Sequence, residues 1–296
     1  MNQPQASSGT FRRAQPWLGT LVKISADATR RSRWQLTAAL DAAFAEISTI
    51  HRLMSRQEQG TDLAAIARSG PGEVVAVDPR TVEVLRIALL MRLESKGRFE
   101  PDRRARRDGR DCWPEGPAWS VEGIRHLRIL RRGDLDLDGI AKGYAVDRAV
   151  EILQDRGVSA SVNAGGDLRR SGELAEPLQL RSSLAGGTLI NVGWLTAGSF
   201  AASESWVDDG TRQVLAADGI QDPTQPGRRL GRMTVGVAAD TCVSADALTK
   251  IVAVAPDEAV PLLQAHRAGA WIFEEWRSEG RLRLCGSATH VQCRAT

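Results

Sequence analysis

The residues best suited to chemistry lie in two glycine-rich turns within residues 134–167. In the first turn, Lys142 follows Gly139 and precedes Gly143, at the start of a predicted helix. Glycine lets the backbone approach a ligand closely, and the unpaired amides and dipole of a helix N-terminus favour an anion beside a lysine. The second turn, Gly165-Gly166-Asp167, adds a carboxylate that is predicted to return to the same end. The pattern indicates a site for a ligand that carries phosphates and hydroxyls.

The same pattern also has a purely structural explanation. Glycines at both ends of a helix occur in many α/β units that bind nothing, and a single lysine is often a solvated surface group. The spacing matches neither the P-loop nor the dinucleotide-binding fingerprint. From the residues alone, a ligand site and a structural turn therefore both stay open.

Hydrophobic spacing predicts the elements that position the two turns. Alternation around Leu135 and Leu137 favours a short strand before the first turn, and residues 158–162 favour another before the second. Between them, apolar residues at helical spacing predict a helix that ends at Gly157. The other predicted strands span residues 18–24, 127–130, 189–192, 199–202, 233–238, 270–275 and 281–285, and the other helices span 34–54, 62–67, 79–97, 244–254 and 256–268.

The length of the chain bounds its domain organisation. A chain of 296 residues can form one large α/β domain or two lobes that share a core. Residues 1–15 are expected to form a disordered tail, which leaves residues 16–296 as the folded domain. We expect a mixed α/β (α+β) fold.

Composition argues against several other classes of protein. A net charge of +3 gives no general affinity for nucleic acid or a membrane surface. The arginine cluster at residues 103–110 lacks the aromatic residues that would stack bases, which favours a solvated loop. The four cysteines and four histidines are scattered, so no zinc site is expected. We find no signal peptide, lipobox or membrane span and expect a cytoplasmic protein, or a periplasmic one if a leader was removed.

The segment of residues 134–167, with five shorter motifs in the same order, resembles the ApbE family of FAD-dependent protein FMN transferases. The family signature Asp-Leu-Gly-Gly-Ile-Ala-Lys-Gly-Tyr-Ala-Val-Asp is similar to residues 136–147, and its Gly-Gly-Asp is similar to residues 165–167. The shorter motifs resemble Leu18-Gly19-Thr20, Met54-Ser55 with Thr61-Asp62-Leu63, Gly97-Arg98-Phe99-Glu100, residues 219–223 and residues 246–250. The collinear order over about residues 17 to 275 is far more specific than any one motif.

The resemblance implies a fold of two entwined subregions with FAD in the cleft between them. It also implies which positions contact the flavin and the nucleotide. These positions are Leu18, Arg98, Phe99, Glu100, Asp136, Lys142, Gly166, Asp167 and Ile220.

The resemblance further implies a metal and a reaction. Mg²⁺, which prefers oxygen ligands, would be held by the backbone carbonyl of Gly139 and by Asp246, with Thr249 as a further candidate ligand. A Thr or Ser hydroxyl of an acceptor protein would attack the FMN-side phosphorus of FAD, and AMP would leave. In this reaction Lys142 and the metal would neutralise charge, and Asp246 or Asp167 would take the hydroxyl proton.

The chain departs from the family pattern at four functional positions. Leu18 replaces a Met and Glu100 replaces an Asp, whereas Gly219 stands at a usual His. Lys250 stands at the position of a Thr metal ligand, four residues after Asp246. On a helix this spacing allows an ordinary exposed ion pair, or an ammonium that takes the place of the metal.

Two other functions stay open beside flavin transfer. The protein would be an FAD-binding protein without transferase activity, or a metal-dependent enzyme that hydrolyses FAD to FMN and AMP. A nicotinamide dehydrogenase is not expected, because no Gly-x-Gly-x-x-Gly follows a predicted strand.

Overall fold

A computed structural model describes residues 9–29, 31–102, 116–172, 175–181, 189–205, 220–225, 228, 230–231, 233–276, 279–287 and 291–292. The helices in these ranges are α1 (Arg33–Met54), α2 (Asp62–Arg68), α3 (Pro79–Glu94), α4 (Ala141–Asp155), α5 (Cys242–Val254) and α6 (Val260–Ala265). The strands are β1 (Thr10–Trp17), β2 (Thr20–Asp27), β3 (Val74–Ala76), β4 (Trp119–Glu122), β5 (His126–Ile129), β6 (Ala160–Ala164), β7 (Asp167–Arg170), β8 (Glu176–Arg181), β9 (Leu189–Leu195), β10 (Ser199–Ser205), β11 (Met233–Ala239), β12 (Gly269–Trp276), β13 (Glu279–Gly286) and β14 (Val291–Gln292).

One large antiparallel sheet dominates the fold. Its eight strands follow the order β1-β2-β6-β7-β10-β11-β12-β13, and every neighbouring pair is antiparallel. Two three-stranded sheets accompany it, in the orders β14-β9-β8 and β3-β5-β4. The sheet therefore has the N-terminal strands β1 and β2 at one edge and strands β12 and β13 at the other. The expected mixed α/β fold is confirmed.

Helices α1 and α4 pack together against β2 and β6 through apolar side chains at helical spacing. Leu40 and Ile47 of α1 meet Val150 of α4 and Ile24 of β2 in one buried cluster. This packing fixes the N-terminal end of α4, which carries the first glycine-rich turn.

Helix α5 is buried on nearly all sides, between α4 and strands β10 and β11. It begins after Thr241, whose side chain accepts a hydrogen bond from the backbone N–H of Ser244. A helix that is apolar all round belongs to a core, so polar residues on it must find partners inside the protein. Asp246 and Thr249 are such residues, and both are fully buried.

The predicted N-terminal tail is too long, because residues 10–15 belong to strand β1. This strand pairs with β2 from Thr10 to Trp17, so its backbone groups are satisfied although its sequence is polar. Leu18 and Gly19, with φ of 56° and 70°, form the turn between the two strands. The predicted strand that included Leu18 therefore starts at Thr20 instead.

Two other predicted elements are corrected. The segment around Leu135 and Leu137 is extended chain with one isolated bridge to Asp102 rather than a strand, and its alternation reflects two leucines buried in the core. The helix predicted over residues 256–268 shortens to α6, which has a proline in its first turn, where the missing N–H costs nothing.

The remaining predicted helices and strands agree with the structure to within a few residues at their ends. The arginine cluster at residues 103–110 and Gly219 lie outside the described residues. None of the helices in the described ranges is long and apolar enough to cross a membrane.

Candidate functional site

The two glycine-rich turns meet at the N-terminal end of α4. Lys142, in the first turn of this helix, donates from Nζ to Oδ2 of Asp167 at 2.7 Å. Gly165 and Gly166, with φ of 67° and 111°, make the turn from β6 into β7 and deliver Asp167 to this position. The side chain of Asp167 is 1% exposed, and its Oδ1 is buried with no hydrogen-bond partner among the described residues.

Gly143 brings α5 against this end of α4. A Cβ at Gly143 would lie 2.4 Å from the carbonyl oxygen of Cys242 and 2.9 Å from Cβ of Asp246, so only glycine fits here. Its own N–H donates to Oδ2 of Asp246 at 3.2 Å. The close approach of the two helices therefore places the carboxylate of Asp246 beside the turn that holds Lys142.

Lys250 is the second cation of the site. Its Nζ donates to Oδ1 of Asp246 at 2.5 Å and to Oγ of Ser203 at 2.8 Å. Its side chain runs past Gly139, where a Cβ would lie 3.3 Å from Cε of Lys250. Because Asp246 is fully buried and the Lys250 side chain is 20% exposed, this is not an ordinary surface pair.

The site thus contains two lysines and two buried carboxylates whose charges act on one another. Burial and the charge of Asp246 raise the pKa of Asp167 to about 6, against the opposing charges of Lys142 and Lys250. Burial also acts to raise the pKa of Asp246, but Lys250 and Lys142 outweigh it, so this pKa lies below its usual value. Burial alone would lower the pKa of Lys142, but the charges of Asp246 and Asp167 raise it.

The backbone amides of the first turn contribute less to anion binding than the sequence indicates. The N–H groups of Ile140 and Ala141 both donate to the carbonyl of Leu137, and the N–H of Gly143 is used by Asp246. The cations at this end of α4 are Lys142 and Lys250, and each of them is paired with a buried carboxylate.

Asp147 organises the site, although the sequence did not single it out. Its two carboxylate oxygens accept hydrogen bonds from the backbone N–H groups of Cys242 and Val243, and Oδ1 also accepts from Arg169. Burial raises the pKa of Asp147 to about 6, against the lowering effects of Arg169 and these amides. The available signal was its position four residues after Gly143, on the face of α4 that meets α5.

The predicted flavin-side positions fall into two groups. Phe99 is buried, and its ring lies within 3.5 Å of the Cβ position of Gly139; Leu18 and Ile220 are half-buried and pack on the same core cluster. In the second group, Arg98 and Glu100 form hydrogen bonds with other residues of the protein. Arg98 donates to Glu258 and Thr224, and the carboxylate of Glu100 accepts from Arg92 and from the N–H of Asp102.

Asp136 lies in the extended segment that precedes the first turn. One of its carboxylate oxygens accepts from the N–H of Asp138, and its own N–H donates to the carbonyl of Pro101. The sequence also gave no signal for Ser203, which lies on β10 and binds both Lys250 and Thr249.

The residues expected to hold Mg²⁺ do not fit a divalent cation. Both oxygens of Asp246 are engaged, one by Lys250 and the other by Gly143. The hydroxyl of Thr249 donates to the backbone carbonyl of Asp246 and lies 2.7 Å from Oγ of Ser203. In the described part of the chain, no group of three or more His, Cys, Asp or Glu side chains could hold a metal ion. The Lys250 side chain instead passes Gly139, and its ammonium binds Asp246.

The fold and the site together define a mixed α/β protein in which two partly exposed lysines pair with two buried carboxylates. The model of the ApbE family matches residues 18–272, and the chain belongs to this family. No curated protein sequence gives a significant match.

Solved structures share the fold over nearly the whole chain. The ApbE protein from Thermotoga maritima is 22% identical with a TM-score of 0.74, covering 93% of this chain and 96% of its own. The flavin transferase ApbE from Vibrio cholerae is 19% identical with a TM-score of 0.73, covering 93% and 97%. The flavinyl transferase ApbE from Pseudomonas stutzeri is 16% identical with a TM-score of 0.72, covering 94% and 95%. At these identities the likeness establishes the shared fold.

Proposed function

We propose that the protein is a flavin transferase that moves FMN from FAD to a Thr or Ser hydroxyl of an acceptor protein and releases AMP. Membership of the ApbE family supports this proposal, as do the similar folds of the transferases from Vibrio cholerae and Pseudomonas stutzeri. The observation that carries it is the Lys142–Asp167 pair, which combines a cation for phosphate with a buried carboxylate that has one oxygen without a partner in the described part of the chain.

The proposed substrate site contains one cation for each of the two phosphates of a pyrophosphate. Lys142 and Lys250 supply two positive charges at the end of α4 where the two turns meet. Cations that are fixed before the reaction stabilise the charge that develops on phosphate oxygens during phosphoryl transfer. Phe99, which is buried beside Gly139, packs against this turn from the core.

The proposed reaction forms one bond to phosphorus, breaks another and transfers one proton to a residue of this chain. The acceptor hydroxyl oxygen forms a bond to the FMN-side phosphorus, and the bond between that phosphorus and the bridging oxygen breaks, so AMP leaves with that oxygen. The hydroxyl proton passes to Asp167, whose raised pKa makes it a better proton acceptor than an ordinary carboxylate. Asp246, with its lowered pKa, stays ionised and holds Lys250 in place.

The test is an incubation of the purified protein with FAD and an acceptor that carries a flavinylation Thr or Ser. Mass spectrometry of the acceptor should show the gain of one FMN group, and chromatography should show one AMP for each FMN transferred. The Vibrio cholerae transferase serves as a positive control. FAD binding with no mass gain would contradict transfer and favour a flavin-binding protein, whereas AMP release without an acceptor would favour hydrolysis.

A further inference from the structure

We propose that the ammonium of Lys250 is a built-in cation that takes the place of a divalent metal in binding the pyrophosphate of FAD. The protein would then bind FAD equally well with and without Mg²⁺. This inference rests on the proposed function, because it takes FAD as the ligand.

The position of Lys250 supports this role. Its side chain passes Gly139 and ends at Asp246, which are the two positions that the family resemblance assigned to the metal. An ammonium has three N–H donors, of which Asp246 and Ser203 accept two. Among the described residues no third group accepts from this ammonium, which leaves one donor for a phosphate oxygen.

The surrounding residues favour an ammonium over a divalent ion. The carboxylate of Asp246 is already neutralised by Lys250 and accepts a second hydrogen bond from the N–H of Gly143. A divalent cation at Asp246 would repel the ammonium and would have to displace it from a fully buried carboxylate. Mg²⁺ also requires near-octahedral oxygen coordination, which these engaged groups do not offer.

The hydroxyl of Thr249 does not restore the metal site. It lies in the interior, where it donates to the carbonyl of Asp246 and bonds with Ser203. Ser203 in turn accepts from Lys250. Ser203 and Asp246 thus bind the ammonium of Lys250, and Thr249 bonds with Ser203.

FAD binding to the full chain tests the inference without any need for turnover. FAD is titrated into the wild type in buffer with excess EDTA and in buffer with excess MgCl₂, and flavin fluorescence reports the dissociation constant. We expect the two constants to agree within about twofold, a difference of roughly 0.4 kcal/mol. Binding that is at least about tenfold tighter with Mg²⁺ would overturn the inference.

Three substitutions sharpen the test. Lys250→Thr removes the ammonium and supplies a hydroxyl, so we expect FAD binding about tenfold weaker in EDTA and largely recovered in Mg²⁺. Lys250→Arg keeps a cation, so its dissociation constant for FAD should stay independent of Mg²⁺. Lys23→Thr, at an exposed position on β2, is the matched control and should bind like the wild type.

The outcomes separate this inference from the proposed function. If Lys250→Thr binds FAD like the wild type in both buffers, Lys250 is a bystander and the inference fails while flavin binding stands. If the wild type binds no FAD in either buffer, the proposed function fails and the inference fails with it. Thermal melting of each variant shows whether a loss of binding comes from unfolding.

Discussion

The ammonium of Lys142 lies 2.7 Å from Oδ2 of Asp167, although the two residues are 25 positions apart in the chain. This pair joins the first turn of α4 to the first residue of β7 and so fixes the two glycine-rich turns against each other. Within the ranges that the structure describes, one oxygen of this buried carboxylate has no partner, which is unfavourable in a merely structural role. We therefore expect substitutions of Lys142 and Asp167 to change activity.

Replacing Lys142 with Met should abolish most of the transfer while keeping the aliphatic part of the side chain. We expect the rate of FMN transfer at saturating FAD to fall by about 10²- to 10³-fold, the usual effect of removing one preorganised charge-stabilising donor. Initial rates measured by acceptor mass gain check this. Lys23→Met is the control for loss of a lysine elsewhere, and a Lys142→Met rate equal to that control would contradict the role of Lys142.

The pH dependence of transfer follows from Asp167. Its pKa is raised to about 6, so below that pH the carboxyl is protonated and cannot accept the hydroxyl proton. We expect kcat/KM to rise about tenfold per pH unit up to pH about 6 and to level off above it. Asp167→Asn should lower the plateau and remove this rise. If kcat/KM of the wild type does not change between about pH 5 and about pH 7, on either side of the shifted pKa, the assignment is contradicted.

The sequence allowed the parts of the site that are local in the chain to be predicted. Both turns were found because glycines and Lys142 mark them within short segments. The sequence left two alternatives for Lys250, because only the packing of α5 shows that its partner Asp246 is buried. It places Asp147 one helical turn after Gly143, but it does not identify Cys242, which is 95 positions away, as the donor to Asp147. Strand β1 was missed because a polar sequence forms a strand here only through pairing with β2.

The contact between α4 and α5 predicts that Gly143 cannot be replaced. Gly143→Ala would place a methyl group 2.4 Å from the carbonyl oxygen of Cys242, a backbone atom that cannot move aside cheaply. We expect a loss of about 1–3 kcal/mol in the free energy of unfolding, as for other overpacked interiors, together with weaker FAD binding. Gly231→Ala is the control, because no described residue lies within 4 Å of its Cβ position and its φ is not positive. Urea denaturation that finds both variants equally stable would contradict this interpretation.

Asp147 should stabilise the protein without taking part in the reaction itself. Asp147→Asn keeps the size of the side chain but replaces one of the two accepting oxygens with an NH₂ group, which faces either the amides of Cys242 and Val243 or the guanidinium of Arg169. Leaving one buried group unsatisfied should lower the free energy of unfolding by about 1–3 kcal/mol. Glu151→Gln, a partly exposed group that also pairs with Arg169, is the control and should change stability by less than about 0.5 kcal/mol. Because Asp147 acts through the position of α5, Asp147→Asn should raise KM for FAD more than it lowers kcat, and a loss confined to kcat would instead assign Asp147 to the chemical step.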